Sequence, residues 1–183
     1  MMRALYLYGQ NTERRKLLKT RALQGFSLIE LIVVIAILGI LTAIAIPSFN
    51  ETMLGAKLRS YANTLVGNAY LARGEAIKSN APVTICVSTN GTSCSATGKW
   101  EDGWIVLNGA AVVQRQEALA TGYKVTEKDG KISLTFQPTG IGATKATLTI
   151  CRAKPKPGSH ERVVTISTTG RPSASKTTAG SCA

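Results

Sequence analysis

His160 stands between Ser159 and Glu161 in a stretch rich in Pro and Gly, and it is the chain's sole histidine. Acid–base catalysis needs further titrating groups at a fixed spacing, and nucleophilic catalysis needs a base and an orienting group beside Ser or Cys. Neither set surrounds it. Gly91 to Lys99 has the outline of a phosphate-binding loop, but six residues separate Gly91 from Gly98, too many for that motif, and Trp100 stands where a hydroxyl is required. The four cysteines, Cys86, Cys94, Cys151 and Cys182, include no C-x-x-C pair, so the spacing of a zinc site is missing. With 22 basic residues against 10 acidic ones, carboxylates for proton transfer are scarce. The expectation is a non-enzyme with no metal and no cofactor. What remains with chemistry in it is one carboxylate in an unusual place, four thiols and a surplus of cations.

The carboxylate is Glu30. It is the sole charge in Phe26 to Ile46, a stretch of 21 residues that as a helix rising about 1.5 Å per residue would cross a hydrocarbon core of about 30 Å. An ionised carboxylate in lipid is costly unless a cation pairs with it. Downstream of Phe26 the first Lys or Arg is Lys57, so the expected cation is an amino terminus created by cleavage nearby. Residues 1–25 hold six basic residues against Glu13. Positive charge ahead of an apolar span stays on the cytoplasmic side, which directs the rest of the chain outward. Collagenous, wholly disordered and polytopic membrane classes are excluded by composition.

The elements that carry these groups follow from periodicity. Pro47 removes a helical hydrogen bond and predicts a kink or a short melted stretch. Leu54, Leu58, Tyr61, Leu65, Ala69, Ala72 and Ala76 then recur at helical spacing as one apolar stripe, and Asn80-Ala81-Pro82 ends it. Phe26 to Ser79 is thus expected as one helix of about 80 Å. After Pro82 the period becomes two, and strands are expected at Val83–Val87, Trp104–Leu107, Tyr123–Val125, Lys131–Phe136, Ala146–Ile150 and Arg162–Ile166. Lys128-Asp129-Gly130-Lys131 reads as a hairpin turn, and Ser173–Ser181 as a small polar tail. The fold class is α+β, one helix covering a mostly antiparallel sheet. Three regions result: a leader over 1–25, a membrane-spanning half-helix over 26–46, and an amphipathic helix with its sheet head over 47–183.

Gly25-Phe26-Ser27-Leu28-Ile29-Glu30-Leu31, with the apolar run and Pro47 behind it, resembles the amino-terminal signature of type IV pilins and type II secretion pseudopilins. The resemblance implies that a prepilin peptidase cuts between Gly25 and Phe26 and methylates the new amino group of Phe26. It also implies that Glu30 pairs with the amino terminus of a neighbouring subunit. Phe136-Gln137-Pro138-Thr139-Gly140, Thr149-Ile150-Cys151, Arg162 to Ser167 and Gly170-Arg171 resemble the GspH/FimT group. That likeness implies a type IV pilin-like fold and a low-abundance minor pilin or pseudopilin. Such a subunit would be held in the inner membrane with a periplasmic head until it helps to start or cap a pilus or a secretion pseudopilus.

An exported head lies in an oxidising compartment, where four cysteines give two disulfides in one of three connectivities. Cys86 with Cys94 closes a small loop, and Cys151 with Cys182 then ties down the tail; a Cys86–Cys151 link would instead put their strands side by side. From Lys145 onward, seven basic residues face Glu161 alone. The alternative function is therefore DNA capture for uptake, carried by Lys154, Lys156, Arg171 and Lys176 if they share one face. The resemblance points to Gly-Arg-x-Arg in DNA-binding members, whereas this chain reads Gly170-Arg171-Pro172-Ser173.

Overall fold

The computed structural model describes residues 25–154, 157–158 and 160–178. The chain divides into two compact units, Met1–Thr42 and Ala43–Ala183. In the first, the described residues open helix α1, Leu28–Ser79. Its first backbone bond runs from the Leu31 N–H to the Ser27 carbonyl at 3.1 Å. Ser27 thus takes the position ahead of the helix that small hydroxyl residues favour. The start lies two residues past the expected Phe26, within the usual fraying of helix ends. Residues 25–46 are exposed throughout, and α1 contains a window long and apolar enough to cross a membrane. In such a solvent only a structure that satisfies its own backbone persists, which favours the helix despite its many β-branched residues. The helix runs on through Pro47, which itself has no N–H to donate, so of the expected kink or melted stretch the melting does not occur.

In the second unit, the stripe on α1 forms as read. Leu54, Leu58, Leu65, Ala69, Ala72 and Ala76 are buried, and Ala62 and Asn68 join them. The helix stops because Asn80 adopts φ 50°, a left-handed conformation that Asn tolerates better than most residues. The Ala81 N–H then reaches back to the Ala76 carbonyl at 3.3 Å, the six-to-one bond of a Schellman end.

Eight strands follow: β1 Val83–Val87, β2 Trp104–Asn108, β3 Ala111–Gln116, β4 Tyr123–Glu127, β5 Ser133–Phe136, β6 Ala146–Arg152, β7 Glu161–Ile166 and β8 Pro172–Thr177. They form two four-stranded sheets, ordered β3-β2-β1-β5 and β4-β6-β7-β8, with every pair antiparallel. One core joins the α1 stripe to Val83, Ile85 and Val87 of β1, Leu134 and Phe136 of β5, Leu148 and Ile150 of β6, and Val164 and Ile166 of β7.

Three expectations need correction. Residues Lys128–Lys131 do not close a hairpin: they carry the chain from β4 in one sheet to β5 in the other. Asp-Gly chemistry fixes a local reversal, here with Gly130 at φ 73°, and says nothing about which strand pairs with which. Strand β3 was not expected; it is a largely exposed edge strand, and an irregularity between Val106 and Leu107 breaks its register. The first part of the expected tail is strand β8, paired with β7 from Pro172 to Thr177. Its Pro opens an edge strand, where a missing N–H costs no ladder bond.

Candidate functional site

Gly25 and Phe26 precede α1, with Phe26 80% exposed. Glu30 lies in the helix's first turn, where a negative charge complements the helix dipole. Among the described residues it makes no ion pair.

In the head, two of the sequence motifs that carried the family resemblance, Phe136 to Gly140 and Gly170-Arg171, come together. Arg73 of α1 donates its Nε–H to the Gly140 carbonyl at 3.1 Å. The Gly142 and Ala143 N–H groups both reach the Thr168 carbonyl, at 2.8 and 3.0 Å. A Cβ on Gly170, where φ is +70°, would stand 3.2 Å from Arg73 Cδ and 3.3 Å from the Gly140 carbonyl oxygen. The loop after β5 and the turn between β7 and β8 are thereby latched to the helix, so these motifs join the two sheets through α1. Sequence reasoning missed Arg73, a cation immediately beside the apolar stripe.

Cys86 and Cys94 form a disulfide with Cα atoms 5.5 Å apart. The loop between them is folded by Asn90, whose Oδ1 accepts the N–H groups of Thr92 and Ser93 at 2.9 and 3.0 Å. Cys151 is buried and also disulfide-bonded; Cys182, its expected partner, lies outside the described residues. Cys86 is not linked to Cys151.

The cations proposed for DNA separate. Lys156 lies outside the described residues. Exposed Lys154 follows β6, its N–H and that of Ala153 bound to the Gly122 carbonyl at 3.1 and 2.8 Å. Lys176 lies opposite Arg162 on β7 and lines a recess with Arg59 and His160. Arg171 precedes β8 at the strand's other end and lines a different recess, with Lys145, Thr147, Thr165 and Ser173. Strand alternation also puts Arg171 and Lys176 on opposite faces. The condition that Arg171 and Lys176 form one surface is therefore not met. Among the described residues no cluster of His, Cys, Asp or Glu suits a metal.

A long amino-terminal helix with antiparallel sheets packed on its second half is the architecture of type IV pilin-like proteins. Residues 61–170, more than half of the chain, match the family described as type II transport protein GspH, and the chain belongs to that family. Residues 21–46 match the prokaryotic N-terminal methylation motif. Among solved structures, the fold is similar to the type IV minor pilin FimU of Pseudomonas aeruginosa. One crystal form gives 23% identity and a TM-score of 0.51 over 64% of this chain and 92% of that one; another gives 23%, 0.53, 66% and 89%. The minor pseudopilin EpsH from the type 2 secretion system of Vibrio cholerae matches at 16% identity and a TM-score of 0.47, over 65% of this chain and 96% of that one.

Proposed function

We propose that this protein is a minor structural subunit, not an enzyme, that helps to start or cap a type IV pilus or a type II secretion pseudopilus. It is made with a basic leader, held in the inner membrane by the first half of α1 with its head in the periplasm, and cut by a prepilin peptidase between Gly25 and Phe26. The new amino group of Phe26 is methylated, and Glu30 pairs with the amino terminus of an adjacent pilin. Pro47 marks where the anchoring half of the helix gives way to the head. The observation that carries this reading is the order of the two matches along the chain: the methylation motif over 21–46, which runs into α1, and the GspH match, which begins at residue 61 of the same helix.

Amino-terminal sequencing of the protein recovered from native membranes tests it. The expected sequence begins at Phe26 with a methylated amino group, and Gly25→Leu should leave the uncut precursor in the membrane. Recovery of assembled protein that begins at Met1 would overturn the reading.

A further inference from the structure

One recess of the head, built wholly within the second unit, holds more positive charge than negative. It has a volume of about 450 Å³, and its titratable lining is Glu51 and Arg59 of α1 with His160, Arg162 and Lys176 of the second sheet. Arg162 and Lys176 are directly opposed across β7 and β8, and like charges so placed destabilise a strand pair. Alternation puts both on the face that carries buried Val164 and Ile166, the face that shares a core with the α1 stripe. Arg59 adds a third cation from the helix. Among the described residues none of the three makes a salt bridge, and the Arg162 Nε is buried without a hydrogen-bond partner. Arg152 of β6 continues the same face but stands opposite Tyr123, outside this lining. Glu51 is the one carboxylate of the recess, so three cations against it leave a net charge of +2, with His160 left out of the count.

We propose that this recess binds a doubly charged phosphate, as the free ion or as the end group of a phosphate monoester. Charge selects the class. A carboxylate brings one negative charge, as does each phosphodiester of DNA or of a phospholipid, and either would leave one cation unmatched. A monoester brings about −1.5 to −2 at pH 7, with three strong acceptor oxygens. Arg59 and Arg162 each offer a planar fork of donors that matches two oxygens of a phosphate, and Lys176 adds a point charge. A phosphate seated among them would give the Arg162 Nε its acceptor and turn the repulsion between Arg162 and Lys176 into two attractions. Shape agrees with charge, since a cleft lined by one sign of charge concentrates the field within it, whereas a nucleic-acid backbone calls for a basic stripe. Gly55 leaves room beside the cations, and a Cβ built on it meets nothing within 4 Å.

The test uses the full chain in detergent micelles, with acetylation of Lys176 followed by mass spectrometry and Lys99, which lines a different recess, as the internal reference. Inorganic phosphate at about 10 mM and about pH 8, where its doubly charged form dominates, should slow Lys176 about fivefold relative to Lys99, as for a site about four-fifths filled. Glycerol phosphate, a monoester, distinguishes the sources: equal protection admits an end group, and protection by inorganic phosphate alone assigns the free ion. Acetate and dimethyl phosphate, each singly charged, should leave the ratio unchanged at the same ionic strength. Arg162→Gln should abolish the protection. Gly55→Glu should abolish it too, because it brings a second carboxylate to the cations from an open helix position and leaves the arginine in place. Equal protection by all four anions would reveal ordinary screening and overturn the proposal. So would an unchanged rate in phosphate, or protection that survives Gly55→Glu. Protection by duplex DNA or by phosphatidylglycerol vesicles, with none from phosphate, would overturn it in favour of a diester.

Discussion

Tyr61 of α1 and Tyr123 at the start of β4 meet edge to face, with ring centroids 5.3 Å apart. The Tyr61 hydroxyl oxygen accepts the Ala120 N–H at 3.1 Å, so the helix holds the chain just before β4. Burial raises the Tyr123 phenol above its ordinary value of 10.0; the Tyr61 phenol pushes it the same way and Arg152 opposes. The folded state therefore holds this proton more tightly than the unfolded chain does. Its stabilising contribution is complete below pH about 10 and is lost as pH rises through the higher folded value. Tyr123→Phe keeps the ring contact and should flatten the alkaline limb of a stability profile, read as melting temperature from neutral pH to about pH 11. Lys131, raised by its hydrogen bond to Asp129, titrates in the same direction. It lies at the surface, where water screens the pair, so the larger change should follow the Tyr123 substitution. Little of this was legible in the sequence. Helical spacing put Tyr61 on the buried stripe and alternation put Tyr123 in a strand, but neither periodicity says that the two rings touch.

At the scale of elements, local signals were readable where one pattern fixed the outcome. Strand β1 occupies Val83–Val87 as expected because Val83, Ile85 and Val87 bury one face, with Pro82 ahead of them, while Cys86 is buried as well. The end of α1 was placed correctly, with the left-handed Asn80 as its mechanism. Strands β3 and β8 escaped because edge strands need no apolar face: Ala111–Gln116 is mostly exposed and Pro172–Thr177 is largely Ser, Ala and Lys. The β4–β5 connection was misread because its residues suit any tight reversal, and what makes it a corner is a side chain outside the turn. Glu127, 5% exposed, accepts the N–H groups of Asp129 and Lys131 on Oε2 at 2.8 and 2.9 Å and that of Thr147 on Oε1 at 3.2 Å. One carboxylate thus folds the corner and ties it to β6. Glu127→Ala would leave three backbone donors short of a partner, at about 1–3 kcal/mol for each one that water cannot reach. The expected loss is about 3 kcal/mol in urea denaturation, with Glu127→Gln keeping part of it. A change below about 0.5 kcal/mol, the level of an ordinary surface substitution, would show that the corner stands without its carboxylate.

For the whole molecule the apolar run sets two opposed demands on Glu30. A carboxylate in lipid opposes insertion by about 2.5–3.5 kcal/mol at the centre of a span and by less toward its end, and Glu30 belongs to the first turn of α1. Its cost alone is small beside the apolar residues around it, so insertion of the proposed anchor tolerates Glu30. The proposed pairing across subunits would reverse the balance: with a neighbour's amino terminus buried against it, removal of either partner would leave an uncompensated charge, at about 3–5 kcal/mol. Glu30→Ala should therefore leave insertion intact or improved while it lowers incorporation into filaments by two orders of magnitude or more, about 3 kcal/mol by the arithmetic of affinity. Glu30→Gln separates the causes, since it keeps the side-chain length and a hydrogen-bond acceptor but not the charge; it should fail nearly as badly if charge governs the contact. Carbonate extraction of membranes reads insertion, and immunoblotting of sheared filaments reads assembly. Both variants appearing in filaments at the level of the unaltered chain would remove the pairing role. A loss from the membrane fraction in step with the filaments would instead place the function of Glu30 in anchoring.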